Sequence, residues 1–144
     1  MTIARKSALT IMVAMMIAVG RPGSGAGPVS PKGGDSVSLL VVVGAVPKFE
    51  GRCIRTIGVV DTGEETDGIY PSDWHHRVQD TASGLAIDWR GSQWLSPKDR
   101  ASYNGQAVIV EGCVSARRGH EGEWAGTLQS ITRLSYWPPR PKTN

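Results

Sequence analysis

The chain has 144 residues, a length that suits one small domain with a modest core and excludes a multidomain protein. Lys and Arg number 16 and Asp and Glu number 13, which gives a formal net charge of +3. Arg5, Lys6 and Arg21 lie in the first 26 residues, and without them 13 basic residues face 13 acidic ones. The remaining 118 residues are therefore about neutral, which excludes a strong whole-protein field attracting nucleic acid.

The first 26 residues have the layout of a secretory signal peptide. Arg5 and Lys6 precede an apolar run at 8–19, and small residues follow up to Ala26. A run of 12 residues, all apolar except Thr10, is too short to span a bilayer, which needs about 20. The pattern predicts cleavage near residues 24–26, with cleavage after Gly20 as the alternative. It also predicts a periplasmic or secreted location and no stable membrane anchor after cleavage.

Residues 27–36 are rich in Gly, Pro and Ser and predict a flexible lead-in. The run at 37–46 is ambiguous, because its leucines and valines are as typical of a strand as of a helix. Asp35 or Ser36 could cap a helix there. Pro47 is expected to end the element, whichever type it is.

Two stretches 54 positions apart repeat one pattern, GRCIRTIGVV at 51–60 and GQAVIVEGCV at 105–114. Because side chains alternate between the two faces of a strand, each copy predicts one core face and one outward face. The residues expected to face the core are Ile54, Thr56, Gly58 and Val60, and Val108, Val110, Gly112 and Val114. Those expected to face outward are Cys53, Arg55, Ile57 and Val59, and Ala107, Ile109, Glu111 and Cys113. The matching glycines indicate strands of equal curvature in one barrel.

Weaker signals predict the remaining elements. A short strand at 68–70 follows an acidic loop, and Leu85, Ile87 and Trp89 alternate as a third strand. Ser96 and Pro97 begin a short helix as N-cap and first helical residue. The last expected elements are a strand at 123–134 with a bulge near Gly126, and a Pro-rich tail at 138–144 that cannot stay in a sheet.

The order of these elements predicts an all-β fold with minor α. Five strands with a short helix between the third and fourth are the layout of the OB-fold, a Greek-key barrel. We assign residues 37–137 to this OB-fold-like domain. A fragment of an SH3-like barrel or an open sandwich is the structural alternative, and neither accounts for the helix as well.

The segments PKFEGRCIRTIGVV, GIYPS, GLAIDW, YNGQAVIVEGCV and GEWAGTLQSITRL together resemble a group of small exported bacterial OB-fold proteins of unassigned function. The resemblance covers about residues 36–137. It implies a short helix before the first strand and implies nothing about chemistry. Thr56 departs from the pattern, because an apolar residue is usual at that position.

Two cysteines in an exported chain favour one disulfide. In an OB-fold the first and fourth strands are antiparallel neighbours. Cys53, early in its strand, and Cys113, late in its own, are both expected on the outward face, so a bond between them is geometrically allowed. Two free thiols are the alternative. The absence of a C-x-x-C motif from the sequence gives redox catalysis little support.

Two other groups of residues could suggest a metal site or a catalytic site, but the sequence favours neither. His75 and His76 with Asp73 could suggest a metal site, but neighbouring side chains diverge and no zinc-type spacing follows. Ser72, His75 and Asp88 could suggest a hydrolytic triad, but no nucleophile elbow is present. We therefore expect no catalytic residues, no metal and no cofactor.

A ligand groove is the remaining hypothesis. OB-folds bind ligands across their second and third strands, between the loops that join the first two and the last two strands. Here the first of these loops is acidic and the second basic, although both could simply solubilise the barrel. Aromatic rings at such a groove suit sugars or bases. The candidate ligand-binding residues are Tyr70, Trp89, Arg117, Arg118, His120 and Trp124.

The sequence thus predicts an exported, monomeric binding or interaction module rather than an enzyme. Its expected partner is a protein or a saccharide of the cell envelope. The alternative is an OB domain that binds single-stranded nucleic acid, which export and the neutral charge of residues 27–144 disfavour.

Overall fold

The computed structural model of the protein describes residues 34–63, 67–119 and 122–138. The predicted signal peptide, most of the predicted lead-in and residues 139–144 of the tail lie outside this range. The strands are β1 Asp35–Ser36, β2 Cys53–Thr62, β3 Asp67–Tyr70, β4 Leu85–Ile87, β5 Gln106–Ser115 and β6 Gly126–Tyr136. The helices are α1 Leu39–Val43, α2 Val46–Phe49, α3 Asp73–Arg77 and α4 Pro97–Ala101, with a 3-10 turn at Thr81–Ser83. Within these described residues, no helix has the length and apolarity to cross a membrane.

Five of the strands close into a barrel. Their order is β2-β3-β4-β6-β5, and β5 returns to pair with β2. The β4 and β6 pairing is parallel, and the other four pairings in the barrel are antiparallel. With α4 between the third and fourth barrel strands, this is the arrangement of an OB-fold. The predicted fold class is confirmed.

The alternation predicted for the repeated stretches is confirmed by the register of β2 and β5, which runs from Cys53 opposite Cys113 to Val60 opposite Gln106. All eight residues expected to face the core are buried. Val59 is also buried, although it is on the outward face. It lies opposite Tyr70, which is itself buried on the outer face of β3.

The ambiguous run at 37–46 forms helices that close one end of the barrel. Ser38 precedes α1, and Gly44 ends it. The prediction that Pro47 ends the element was wrong, because Pro47 lies in the first turn of α2, where its missing N–H costs no hydrogen bond. The residues that these helices contribute to the core are Leu39, Val42, Val46 and Phe49.

The last two residues of the predicted lead-in form a short strand. Asp35 and Ser36 form β1, which runs parallel to β2 beside Ile54 and Arg55. The Asp35 carboxylate also accepts a hydrogen bond from the guanidinium of Arg52 at 3.1 Å. Backbone pairing therefore holds the end of what the composition predicted to be a flexible lead-in.

The bulge in the last strand lies further along than predicted. The register between β5 and β6 shifts between Glu111 and Cys113, where Ser130 takes a φ of +53°. The extra residues of β6 send Ile131 inward to a 2% exposed position. A Cβ on Gly112 would approach Cδ1 of Ile131 to 2.8 Å, so this glycine makes room for the bulge.

The segment from β4 to α4 fits the prediction in part. Ser96 caps α4 as expected, and its Oγ accepts a hydrogen bond from the N–H of Asp99 at 3.1 Å. The third barrel strand, however, ends at Ile87 rather than reaching Trp89. The Asp88 side chain accepts the backbone N–H of Arg90 and so turns the chain out of the sheet.

The predicted disulfide is present between Cys53 and Cys113. The two residues lie directly opposite one another in the β2 and β5 register. The bond therefore joins the beginning of β2 to the end of β5, near the end of the barrel that α1 and α2 close.

Candidate functional site

Two of the predicted groove residues, Tyr70 and Trp124, are buried against each other. Their exposed fractions are 0% and 3%, and their ring centroids lie 5.2 Å apart. With Ala86 they form a second, small core outside the barrel wall, on the outer face of β3 and β4. Neither ring offers a free face for a ligand to stack on.

Glycines explain why the indole of Trp124 fits there. A Cβ on Gly68, Gly84 or Gly119 would approach or overlap the indole. These three positions come from β3, from the residue before β4 and from the loop before β6. The indole of Trp124, which lies just before β6, therefore covers the outer face of β3 and β4, which was predicted to be the groove floor. The hypothesis of an open floor with Tyr70 and Trp89 on it, and with Trp124 free to bind a ligand, does not fit the packing of Tyr70 and Trp124.

The other predicted groove residues do not join them. Trp89 is half-buried beyond the end of β4, with the guanidinium carbon of Arg100 at 5.5 Å from its ring centroid. Arg117 and Arg118 are exposed, and within the described chain neither forms an ion pair. His120 lies outside the described residues. The five described candidates therefore do not assemble into one site.

The carboxylate of Asp61 contacts other side chains of the protein. Gln79 donates from Nε2 to Asp61 Oδ2 at 3.2 Å and accepts from the Tyr70 hydroxyl at 3.3 Å. His76 Nε2 lies 3.6 Å from the same Asp61 oxygen. Burial, together with the charges of Asp61 and Asp80, raises the pKa of Tyr70 to about 12. This network fastens α3 to the barrel.

Of the three residues considered for a hydrolytic triad, only Ser72 and His75 are hydrogen-bonded to each other in the described structure. Ser72 Oγ lies 2.7 Å from His75 Nδ1 and also accepts the N–H that caps α3. The Asp88 carboxylate is bonded by Arg90 at 2.7 Å, which lowers its pKa, and among the described residues it forms no hydrogen bond to Ser72 or His75. Across residues 34–63, 67–119 and 122–138, no group of three or more His, Cys, Asp or Glu side chains could hold a metal ion.

A different site is present on the outer face of β2 and β5, where a cavity of about 600 Å³ opens. We call it the β2 groove. Its walls are the segment from β1 into α1, the residue that follows β3, and Trp137 at the end of β6. Its lining residues are Ser36, Val37, Ser38, Leu39, Leu40, Arg55, Thr56, Ile57, Pro71, Ile109 and Trp137. None of these was a predicted site residue.

Beside the groove, one edge of β2 lacks a neighbouring strand for three residues. On this edge β1 pairs with Ile54 and Arg55, and β3 pairs with residues 59–62, whereas residues 56–58 pair only with β5 in the described structure. The carbonyl of Arg55 accepts the Val37 N–H on this edge at 2.9 Å. Since backbone groups alternate sides along a strand, the N–H and C=O of Ile57 point to the same edge.

Pro71 explains why β3 does not fill this gap. It follows the last residue of β3 and has no N–H to donate to β2. On the other side, the chain leaves the edge after Val37 and enters α1. The gap is therefore bounded by two short strands of the protein itself.

The groove is apolar with a single cation. Leu40, Ile57 and Trp137 are large apolar side chains with exposed fractions of 57%, 43% and 45%. Arg55 is the charged residue of the lining, and its Nε donates to Glu111 at 2.7 Å. Arg133 bonds the same Glu111 oxygen at 3.3 Å, so two guanidinium groups share one carboxylate. This surface suits an apolar group that also carries a negative charge.

No family model, curated protein or solved structure matches the chain. The groove itself is therefore the basis for a functional proposal. One signal in the sequence pointed to it. Ile57 and Ile109 both occupy outward positions of the repeat and lie opposite each other, an apolar pair on a face where polar residues are typical.

Proposed function

We propose that the protein is an exported binding module whose β2 groove holds an extended segment of a protein partner. The observation that carries this proposal is the unpaired edge at residues 56–58 beside an apolar cavity. An extended peptide can exchange backbone hydrogen bonds with Ile57 and place a side chain in the groove. Strand addition of this kind is a common mode of peptide recognition.

The chemistry of the groove favours a protein over the other expected ligands. Of the rings that were expected to stack on sugars or bases, Tyr70 and Trp124 are buried, and Trp89 is half-buried with the Arg100 guanidinium over its ring. A nucleic acid needs several phosphate contacts, whereas the lining of the groove contains Arg55 as its charged residue. An apolar lining next to unpaired backbone groups matches a peptide better than a saccharide.

Export is supported by two independent features. The first 26 residues have the composition of a signal peptide. The Cys53–Cys113 disulfide is typical of proteins that fold in an oxidising compartment. We therefore place the partner in the same compartment, the periplasm or the extracellular space.

The test is a peptide-display screen against residues 27–144, followed by affinity measurements on matched variants. Leu40 and Val41 are neighbours in α1 with exposed fractions of 57% and 56%, but only Leu40 lines the groove. Leu40→Asp should weaken the binding of selected peptides at least ten-fold, and Val41→Asp should leave it unchanged. A screen without binders, or equal effects of the two substitutions, would contradict the proposal.

A further inference from the structure

We infer that the β2 groove recognises the free carboxyl terminus of its partner rather than an internal segment. The inference rests on the proposed function, because it specifies which part of a protein the groove holds. Two features of the groove carry this inference: the limits of the unpaired edge of β2 and the position of Arg55.

The gap in strand pairing is short and closed on both sides. Three residues of a strand span roughly 10 Å. A peptide strand that continued along this edge in both directions would meet β1 at Arg55 and β3 at Val59. A peptide whose last residue lies in the gap has to leave the edge of β2 on one side only. The edge therefore favours a chain end over the middle of a chain.

Arg55 supplies a receptor for the carboxylate that only a carboxyl terminus adds to the backbone. Its side chain is 39% exposed, and its Nε is engaged by Glu111. Its two terminal nitrogens have no hydrogen-bond partner in the described part of the chain. Glu111 is also bonded by Arg133, so the carboxylate does not neutralise both guanidinium groups. Guanidinium and carboxylate form strong charge-assisted hydrogen bonds.

A hydroxyl at the groove wall offers a further donor. Ser38 is the N-cap residue of α1, but its side chain makes no capping hydrogen bond. It lines the groove near the open edge of β2. A carboxylate held by Arg55 can therefore accept from a second group while the backbone of the peptide pairs with Ile57.

The segment of this chain that follows Pro138 is a poor match on charge. Residues 139–144, PRPKTN, follow the groove residue Trp137 and bring Arg140 and Lys142. Those cations would approach the cationic Arg55. We therefore assign the groove to another chain, whose last residues are apolar and carry no positive charge.

The experiment compares two forms of each peptide found in the screen. Each is synthesised as an acetylated hexapeptide with a free carboxylate and with a carboxamide, and both are titrated into residues 27–144. The amide should bind at least ten-fold more weakly. Arg55→Gln should abolish this preference for the acid, whereas Arg133→Gln, which also contacts Glu111 but does not line the groove, should retain it. Because acid and amide are compared within one variant, a general loss of stability does not imitate the result.

Other outcomes overturn the inference in distinguishable ways. Equal affinities of acid and amide would refute recognition of a chain end and leave the proposed peptide-binding function intact. If no peptide binds and dodecanoate binds in an Arg55-dependent manner, both proposals are wrong and the groove is a fatty-acid site. If truncation after residue 138 raises peptide affinity more than ten-fold, the tail occupies the groove and the assignment to another chain is wrong.

Discussion

The indole of Trp124 occupies the space that a side chain on Gly68 would need. Trp124 comes from the loop before β6, and Gly68 is on the outer face of β3, so the contact closes the face that OB-folds commonly use for ligands. The protein has thus filled that face with its own side chain. This contact makes Gly68 a sensitive position and Trp124 a structural residue.

Gly68→Ala should lower the free energy of unfolding by about 1–3 kcal/mol, because the added methyl group overpacks against the indole. Gly44→Ala is the matched control. Gly44 has a helical φ of −68°, and a Cβ there would meet nothing closer than the Leu40 carbonyl at 3.4 Å. Urea denaturation of both variants measures the difference. In a Gly68→Ala background, Trp124→Leu should cost less than it does alone, and strictly additive effects would show that the two positions do not touch.

Thr56 is a core position filled by a polar residue. It is 2% exposed, and its Oγ1 has no hydrogen-bond partner among the described residues. Thr56→Val keeps the shape and removes the unsatisfied hydroxyl, so it should raise the free energy of unfolding by about 1–2 kcal/mol. Thr127→Val provides the contrast, since Thr127 Oγ1 donates to the Arg117 carbonyl at 2.7 Å and its loss should destabilise. A destabilised Thr56→Val variant would mean that the hydroxyl has a partner in the folded protein.

The core-facing and outward-facing residues of β2 and β5 could be predicted from the sequence, because side chains alternate between the two faces along a strand. This alternation indicated the barrel. Ile54, Val110 and their neighbours could be placed on one face without knowing their contacts. The candidate site could not be obtained this way. Trp124 lies at the start of the predicted last strand, and its burial depends on Gly119 nearby and on Gly68 and Gly84, which are distant from it along the chain. The groove likewise depends on where β1 and β3 stop along β2, and boundaries of that kind carry little local signal.

Neighbouring residues of β5 should respond oppositely to an introduced charge. Val110 is fully buried, and Ile109 is on the outward face at the groove. Val110→Asp should abolish folding, because it buries an unpaired carboxylate, whereas Ile109→Asp should fold and lose peptide binding. Circular dichroism and thermal denaturation check the first effect, and titration with selected peptides checks the second. Equal tolerance at both positions would contradict the face assignment.

The intact mass of the protein recovered from cells tests export and the disulfide together. Loss of about the first 26 residues and the appearance of two alkylatable thiols only after reduction are the expected results. The bond closes a loop with a sequence separation of 60 residues, which in the chain-entropy relation stabilises the fold by about 4 kcal/mol. Reduction should therefore lower the urea midpoint substantially. A full-length chain with two free thiols would contradict both expectations.

The stability of the protein should depend on pH through Asp67. Burial raises the pKa of this carboxyl above its ordinary value of 3.8, against the opposing charge of the Arg100 guanidinium. The folded state then holds the proton more tightly than the unfolded state, so the contribution of Asp67 to stability falls as pH rises from about 3.8 through the raised value. Asp67→Asn should be more stable than the parent at pH 7 and lose this advantage near pH 3.

Asp88→Asn is the control with the opposite sign. Arg90 lowers the pKa of Asp88, so its contribution to stability is present at neutral pH and is lost as pH falls through the lowered value. This variant should be less stable than the parent at pH 7 and approach it in acid. Urea midpoints measured from pH 3 to pH 7 separate the two variants. Parallel pH profiles would contradict both assignments.

Residues 56–58 of β2, which lack a neighbouring strand on one edge in the described structure, also bear on how the protein behaves at high concentration. Long free strand edges let copies of a protein stack into sheets, and closing a barrel removes them. In the described part of the chain, the barrel strands leave this short edge between β1 and β3. Three residues are too few to seed a growing sheet of identical copies, but one short peptide strand can pair with them. We therefore expect an open edge of this length to permit the proposed peptide pairing without promoting the stacking of copies at high concentration.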